Sequence, residues 1–433
     1  MKTKLILVAL PIALVGFFAS SFVNAEDYPT TTRTLQPESG CVFMTTMGEQ
    51  SSDGFAVFKT DENVNLSVRD GLAWLAAAQL ANGGYGAGSH SAQHLRDPHA
   101  VAADPATTAM VAQAFLRSGS TFRKGVYAEN LKKATHYLVE TILNTAPSSP
   151  YITDVRNTQI QRKLGENIDA VLAAQFLSNL LNRNVKGTNT QELRRALAIC
   201  VSKIEAGTDA TGRQKGAGWA GVLQSGLANS ALEAAQSVGA EVDDAVLEKA
   251  RQYQKQNYDE QNGAVKTEDG AGVMLYSVSG SARASAIQAR KAKEQINKAK
   301  REGKLDAEAE INVENLKIAG YSQSQALGYK TAYDVYESAK NTAQREDVVT
   351  GYGNNGGEEF LSFLQTGESM VVNDDTDWKS WYDNMSGRIL KIQNADGSWN
   401  GHHCITSPVF CTATSVLLLT IENDIQFLRN IGE

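Results

Sequence analysis

Residues 391–421 read KIQNADGSWNGHHCITSPVFCTATSVLLLTI, and this stretch decides how the chain is built. Gln393 closes an amphipathic run. Asp396-Gly397 is a turn dipeptide, because glycine accepts a positive φ at no steric cost. Trp399 follows as a large apolar plug. Ser407-Pro408 opens a helix as N-cap and first-turn proline. Thr412 to Ile421 continues it with almost no charge, the pattern of a helix buried on most sides.

The same grammar recurs toward the other end. Gln79 is followed by Gly83-Gly84-Tyr85-Gly86 and a polar loop, and Asp104-Pro105 then opens the apolar helix TTAMVAQAFL at 107–116. Thr108-Ala109 aligns with Thr412-Ala413, which puts Thr107 opposite Cys411. Weaker copies lie between: GAGW at 216–219 before an Ala-rich helix, QNGAV at 261–265, and GYGNNGGEEFLSFL at 351–364. Repetition on this scale implies stacked helical units that cannot bury their faces alone. Trp399, Tyr85 and Trp219 are each expected to plug a helix C-terminus between neighbouring units.

Turns of the form Q-x3–5-G-[SGA]-[WY], each followed by a Thr/Ala-rich apolar helix, resemble the repeats of the squalene cyclase and protein prenyltransferase superfamily. The resemblance is good at 68–118 and 351–425 and loose between. It implies an all-α fold, an α/α toroid of about six helical hairpins, with the N-terminal ends of the inner helices around a central cavity. It does not imply one reaction, because cyclases, prenyltransferase β subunits and thioester domains share the repeat. Gly48-Glu49-Gln50 lacks the preceding cysteine a thioester needs, since Met47 stands there. Asp374-Asp375-Thr376-Asp377 differs in order from the D-x-D-D-T acid of cyclases and precedes an outer helix, where it reads as a helix cap.

Residues 1–25 carry the pattern of a secretory signal: Lys2 and Lys4, an apolar run from Leu5 to Phe18, and Val23-Asn24-Ala25. Export to the periplasm or exterior follows. No other stretch is long and apolar enough to span a bilayer. Loss of the two lysines takes the formal charge from −7 to −9, which argues against nucleic-acid partners. Residues 26–63 read as an extended N-terminal arm, and 64–433 as the helical domain. Within it, helices are expected at 66–81, 127–145, 166–183, 189–205, 220–237, 243–257, 321–343 and 376–393. The charged run at about 283–315 reads as a solvated helical insertion.

Closure of such a ring makes the first and last hairpins neighbours, and five of the six histidines lie in their entry loops. His90, His94 and His99 stand in loop 87–104; His402 and His403 stand in loop 400–408. These histidines, with Cys411, could hold zinc through imidazole and thiolate; alternatively they bond loop backbone or a substrate. The resemblance places Cys411 where prenyltransferase β subunits carry a zinc histidine, but their Asp-x-Cys ligand pair has no match here. Cys404 and Cys411 are close enough in sequence to form a disulfide in an oxidising compartment, and Cys200 reads as a core thiol. The candidate acid–base groups are Asp104, Glu358 and Glu359. Adjacent helical residues diverge by about 100°, so Glu358 and Glu359 do not face one bond together.

Three classes of function remain open on the sequence: a protein that binds a small molecule, glycan or protein partner in the toroid cavity without chemistry; a secreted glycan hydrolase or lyase; and a terpenoid-type enzyme. Cavity lining discriminates them. Aromatic and aliphatic walls favour a terpenoid, carboxylates beside exposed Trp or Tyr favour a glycan, and a filled centre favours a scaffold.

Overall fold

A computed structural model describes residues 61–259, 262, 264–266, 270–353 and 355–431. The signal pattern at 1–25 and the arm through residue 60, with Cys41, lie outside the described residues. Among the described residues the regular structure is helical apart from one two-residue antiparallel ladder, β1 (Tyr258–Asp259) with β2 (Ala264–Val265), and single bridges. In chain order the helices are α1 (Asp61–Ala77), α2 (Pro105–Arg117), α3 (Ala128–Leu143), α4 (Gln159–Leu164), α5 (Ile168–Asn182), α6 (Thr190–Gly207), α7 (Gly221–Ser237) and α8 (Asp244–Gln256). They continue as α9 (Met274–Arg301), α10 (Val313–Ile318), α11 (Gln323–Ala343), α12 (Glu346–Val349), α13 (Gly357–Val372), α14 (Trp378–Lys391), α15 (Pro408–Leu419) and α16 (Ile425–Asn430). Among the described residues no helix is long and apolar enough to cross a membrane.

Two kinds of long helix follow from two kinds of sequence. Every residue of α15 is buried, and α2, α5, α7 and α13 are buried over most of their surface. Charge-poor, Ala/Ser/Thr-rich sequence permits this, since small side chains let helices approach on all sides. By contrast α3 buries only Leu131, Ala134, Thr135, Leu138, Val139 and Ile142, one stripe at helical spacing. The buried helices contact one another in a circuit: α2 packs on α5, α5 on α7, α7 on α9, α9 on α13, α13 on α15, and α15 on α2. The one-faced helices α1, α3, α6, α8, α11 and α14 each pack on members of that circuit.

The turn grammar explains how neighbouring units lock. Gln79 donates to Gly83 O (2.8 Å) and to Asn130 O at the start of α3 (2.9 Å). Gln393 repeats this with Gly397 O (2.7 Å) and Ser67 O in α1 (3.0 Å). The last unit thus grips the first outer helix as the first unit grips the second. Gly83 and Gly397 have φ of 85° and 91°. A Cβ at Gly83 would lie 2.7 Å from Lys133 O, and one at Gly397 would lie 2.8 Å from Asp70 O. Glycine is therefore required twice over at each, by conformation and by close approach. Two residues on, the Tyr85 and Trp399 N–H groups donate to Thr108 and Thr412 Oγ1, both at 2.9 Å.

The third copy is displaced from where the sequence places it. Gly212, with φ of 93° and a Cβ position 2.1 Å from Lys249 O in α8, is the equivalent glycine. Gln214 N–H then donates to Ser225 Oγ at 3.2 Å, so buried Gln214 occupies the plug position. Trp219 is 53 % exposed and plugs nothing. The aromatic residue misled the alignment, because the plug position needs backbone geometry rather than an indole.

The charged insertion also differs from expectation. α9 begins at Met274, and residues through Arg290 lie largely within the main core; Arg283 itself is buried. The run SGSARASAIQAR lets α9 cross α7 closely: a Cβ at Gly226 would meet Gly280 Cα at 3.0 Å. Only from Ala292 does the helix leave the core, packing Ala292, Ile296 and Ala299 with Leu316, Ala319 and Ala326 in a small second cluster. The first arm residues assigned as extended, 61–63, begin α1 instead.

Candidate functional site

The loops that enter the buried helices meet at one place. Arg96 Nη1 donates to Gly401 O (3.0 Å) and to Thr406 O, Gln93 Nε2 donates to Cys404 O, and Thr406 Oγ1 donates to Gln93 O (2.7 Å). Loops 87–104 and 400–408 therefore share a rim. A third loop wedges between them. Gln159 N donates to Gly88 O (3.0 Å), while its side-chain Oε1 accepts from the N–H groups of Thr406 (2.7 Å) and Ser407 (3.2 Å) at the start of α15.

The histidines do not build the seam into a metal centre. Among the described residues, no three His, Cys, Asp or Glu side chains are grouped to hold a metal ion. His94 and His99 are exposed; His99 lies on a short turn capped by Asp97, and the turn capped by Ser89 carries His90. His90 Nδ1 lies 3.2 Å from Gln93 Nε2. Its pKa is lowered by burial and by the neighbouring Lys163 and Arg162 charges. His402 is exposed and its N–H donates to Asn355 O (2.7 Å). The expected Cys404–Cys411 disulfide is likewise not present: both are free thiols. Cys411 Sγ points back at Ile405 O (3.6 Å). Cys404 has a positive φ of 54° in the turn, and burial beside Glu358 pushes its thiol up to about 12. Cys200 is a buried core thiol, as its apolar neighbours predict.

Asp104 caps α2. Its Oδ1 accepts the Thr107 N–H (2.7 Å), and its Oδ2 accepts the Ala87 N–H (2.8 Å) and Thr107 Oγ1 (3.0 Å). Burial raises its pKa despite these bonds. Asp169, one turn-start further round, accepts the Ala106 N–H (3.0 Å) and Gln161 Nε2 (2.7 Å). Burial and the Asp104 charge push it up to about 7. Asp375, in the acidic run before α14, accepts from Tyr336 Oη (2.7 Å) and pairs with Lys340 (3.0 Å), so that cluster is structural.

Glu358 and Glu359 diverge as adjacent helical residues must, yet both are buried. Glu359, at the third position of α13, caps the helix start: Oε2 accepts the Gly356 N–H (2.8 Å), and Oε1 accepts the Tyr352 N–H (3.1 Å) and the Tyr276 hydroxyl. His403 Nε2 stands 3.6 Å from Oε2. Burial raises the Glu359 pKa, opposed by His403 and Tyr276. Glu358 turns to the other loop, where Oε2 accepts the Ile405 N–H (3.2 Å). Burial and then the Glu359 charge push its pKa up from 4.5 to about 8. Between those values the native state binds more protons than the unfolded chain, so stability falls as pH rises from about 4.5 to about 8. Glu358→Gln is expected to flatten that decline, read as the urea midpoint across the window; an unchanged slope would show that Glu358 does not hold its proton.

Over these carboxylates lies an open aromatic row. Trp219 and Tyr352 are 53 % and 57 % exposed, with ring centroids 5.9 Å apart. Tyr352 continues to the His403 ring at 5.2 Å. Lys163 Nζ sits 4.4 Å from the Trp219 ring centroid. The row is built from three separate loops and the end of α4, which carries Lys163, and the sequence reading singled out only His403 of its members as a site residue. Tyr276, Asp169, Gln159 and Lys163 carried no motif to mark them. The exposed aromatics had one usable signal: Trp219 and Tyr352 both sit in Gly-rich loops before a buried helix.

Comparison with protein-family models, with curated proteins and with solved structures found no match to this chain.

Proposed function

We propose that this chain is an exported α/α toroid of six hairpins that binds a saccharide-type ligand on the rim where its inner helices begin. The circuit of buried helices and the wrap-around Gln393–Ser67 contact support the toroid. The basic-then-apolar pattern of residues 2–18 supports export. The observation that carries the ligand class is the Trp219–Tyr352–His403 row. Large exposed aromatic faces mark a binding surface, and they match the flat C–H faces of sugars, while Lys163 and His403 supply polar contacts at the edges. The carboxylates beneath favour binding over cleavage. Glu359 is committed to its cap and Glu358 retains its proton, so these two do not form the pair of free carboxylates that cleavage needs. A terpenoid substrate is disfavoured, because the hollow lined by the circuit helices carries arginine and glutamine as well as leucine, and the C-terminal Phe427, Leu428 and Ile431 also line it.

The test is calorimetric titration of short gluco- and chito-oligosaccharides into wild type, Trp219→Ala and Tyr352→Ala. Saturable binding to wild type, weakened roughly tenfold by either substitution with unchanged melting temperature, is the expected result. Failure of every oligosaccharide to bind, or equal binding by both variants, would overturn the saccharide reading.

A further inference from the structure

Away from the rim, a cavity of ≈ 50 Å³ lies where α2, α5, α7, α9, α13 and α15 all meet the C-terminal segment. Its polar wall is not satisfied by the protein. Arg283 is 3 % exposed, and its Nε and Nη1 have no hydrogen-bond partner. Its nearest carboxylate oxygen, Glu233 Oε2, is 3.6 Å from Nη1, while Glu233 Oε1 is already taken by Arg251 at 3.0 and 3.1 Å. Gln365, also fully buried, leaves both amide atoms unpartnered. Arg117, on the same wall, is by contrast saturated by Asp424 (2.6 Å), Glu368 (2.6 Å) and Leu417 O (3.0 Å). Unmade hydrogen bonds of this kind are costly, the more so for a charged group.

The surrounding ion pairs leave Arg283 the least provided for: Arg117 and Arg183 meet Asp424 and Glu368, Arg251 meets Glu233 and Glu248, and Arg283 only shares Glu233, at 3.6 Å. The rest of the lining is mixed: Gln113, Gln175, Ser230 and Glu368 are polar, and Leu361, Leu364, Phe427 and Leu428 contribute an apolar wall. A forked cation and an amide donor next to an apolar wall match a planar oxyanion carrying a short hydrocarbon tail.

We propose that this cavity binds a short-chain aliphatic carboxylate, with its oxygens on Arg283 and Gln365 Nε2 and its alkyl end against Leu361, Leu364 and the C-terminal Phe427 and Leu428. The volume limits the class to molecules of formate-to-butyrate size, since one water needs roughly 10–15 Å³ on this scale. The site is independent of the rim.

The experiment is a thermal-melting series of the purified full chain in sodium formate, acetate, propionate and butyrate against sodium chloride at equal ionic strength. Carboxyl-labelled butyrate followed by NMR provides a direct binding readout. A saturable rise in melting temperature with carboxylate and not with chloride is expected. It should be lost in Arg283→Met, weakened at least about tenfold in affinity in Gln365→Leu, and unchanged in Trp219→Ala. Should Arg283→Met not fold, the wild-type series and Gln365→Leu decide. Identical melting in carboxylate and chloride, with no labelled butyrate bound, would mean that waters alone fill the cavity and would overturn the proposal. So would an undiminished effect in Gln365→Leu.

Discussion

Trp399→Ala is expected to lower the unfolding free energy by ~3–5 kcal/mol, the range for truncating a large buried aromatic. The indole is fully buried, and its Nε1 donates to Ile389 O (2.9 Å) in the last turn of α14. Its backbone N–H is held by Thr412 in α15, and its ring presses on α1, where a Cβ at Gly71 would meet it at 2.9 Å. Trp399 thus joins the outer helix α14 and the circuit helix α15 to the first outer helix, α1. The loss should exceed the transfer term alone, because the Ile389 carbonyl also loses its indole donor and keeps only the longer bond from the Ile392 N–H (3.3 Å). Urea denaturation measures it. Trp219→Ala is the internal control: half-exposed and outside the core, it should change stability by less than about 0.5 kcal/mol. Equal effects of the two substitutions would show that the turn aromatic is not a plug.

Asp424→Asn is expected to cost a comparable ~3–5 kcal/mol, as breaking a buried ion pair from one side does. Asp424 is buried between α15 and α16 and accepts from Arg117 Nε (2.6 Å), Asn179 Nδ2 (2.9 Å), Gln113 Nε2 (3.3 Å) and Arg183. Burial alone would raise its pKa, but Arg117 and Arg183 together outweigh it and hold the carboxylate below its ordinary range. A depressed folded pKa means that the stabilisation is present above the unfolded pKa and is lost as pH falls through the folded one. Wild type should therefore lose this contribution on the acid side, below pH ~4, the unfolded carboxylate value, and the variant should lack that acid transition. Because Asp424 leads directly into α16, Asp424→Asn should also make the C-terminal segment the earliest site of limited proteolysis. A variant with wild-type acid midpoint and protease resistance would contradict the role of the cluster.

The two buried clusters titrate in opposite senses. Glu358 is raised by burial without a full counter-charge, whereas Asp424 is lowered because two guanidiniums reach it. Nothing in the local sequence separates them, since each is an acid at a helix start or turn beside apolar residues. Partner supply from distant segments sets the sign.

What the sequence determined by itself is local. Ser407-Pro408 and Asp104-Pro105 start helices through caps that span three or four residues, and the structure shows both caps made. Gln393–Gly397 and Gln79–Gly83 make a turn through a side-chain bond four residues long, so the motif is readable wherever it occurs. The helical class and the meeting of loops 87–104 and 400–408 followed from that grammar, because repeated units that wrap round bring their ends together. Tertiary structure decided the rest. It put Gln214 at the plug where Trp219 was expected, because the position is defined by contact of Gly212 with α8. It drew half of a charged helix into the core because Gly226 and Gly280 allow a close crossing. It spent Asp104 and Glu359 on backbone N–H groups that only a packed rim brings to them, and it left Arg283 without its full set of partners beside a cavity. Hydrogen bonds within one turn of chain are encoded in spacing; which distant groups compete for a carboxylate or abandon a guanidinium depends on packing across hundreds of residues, and spacing does not carry it.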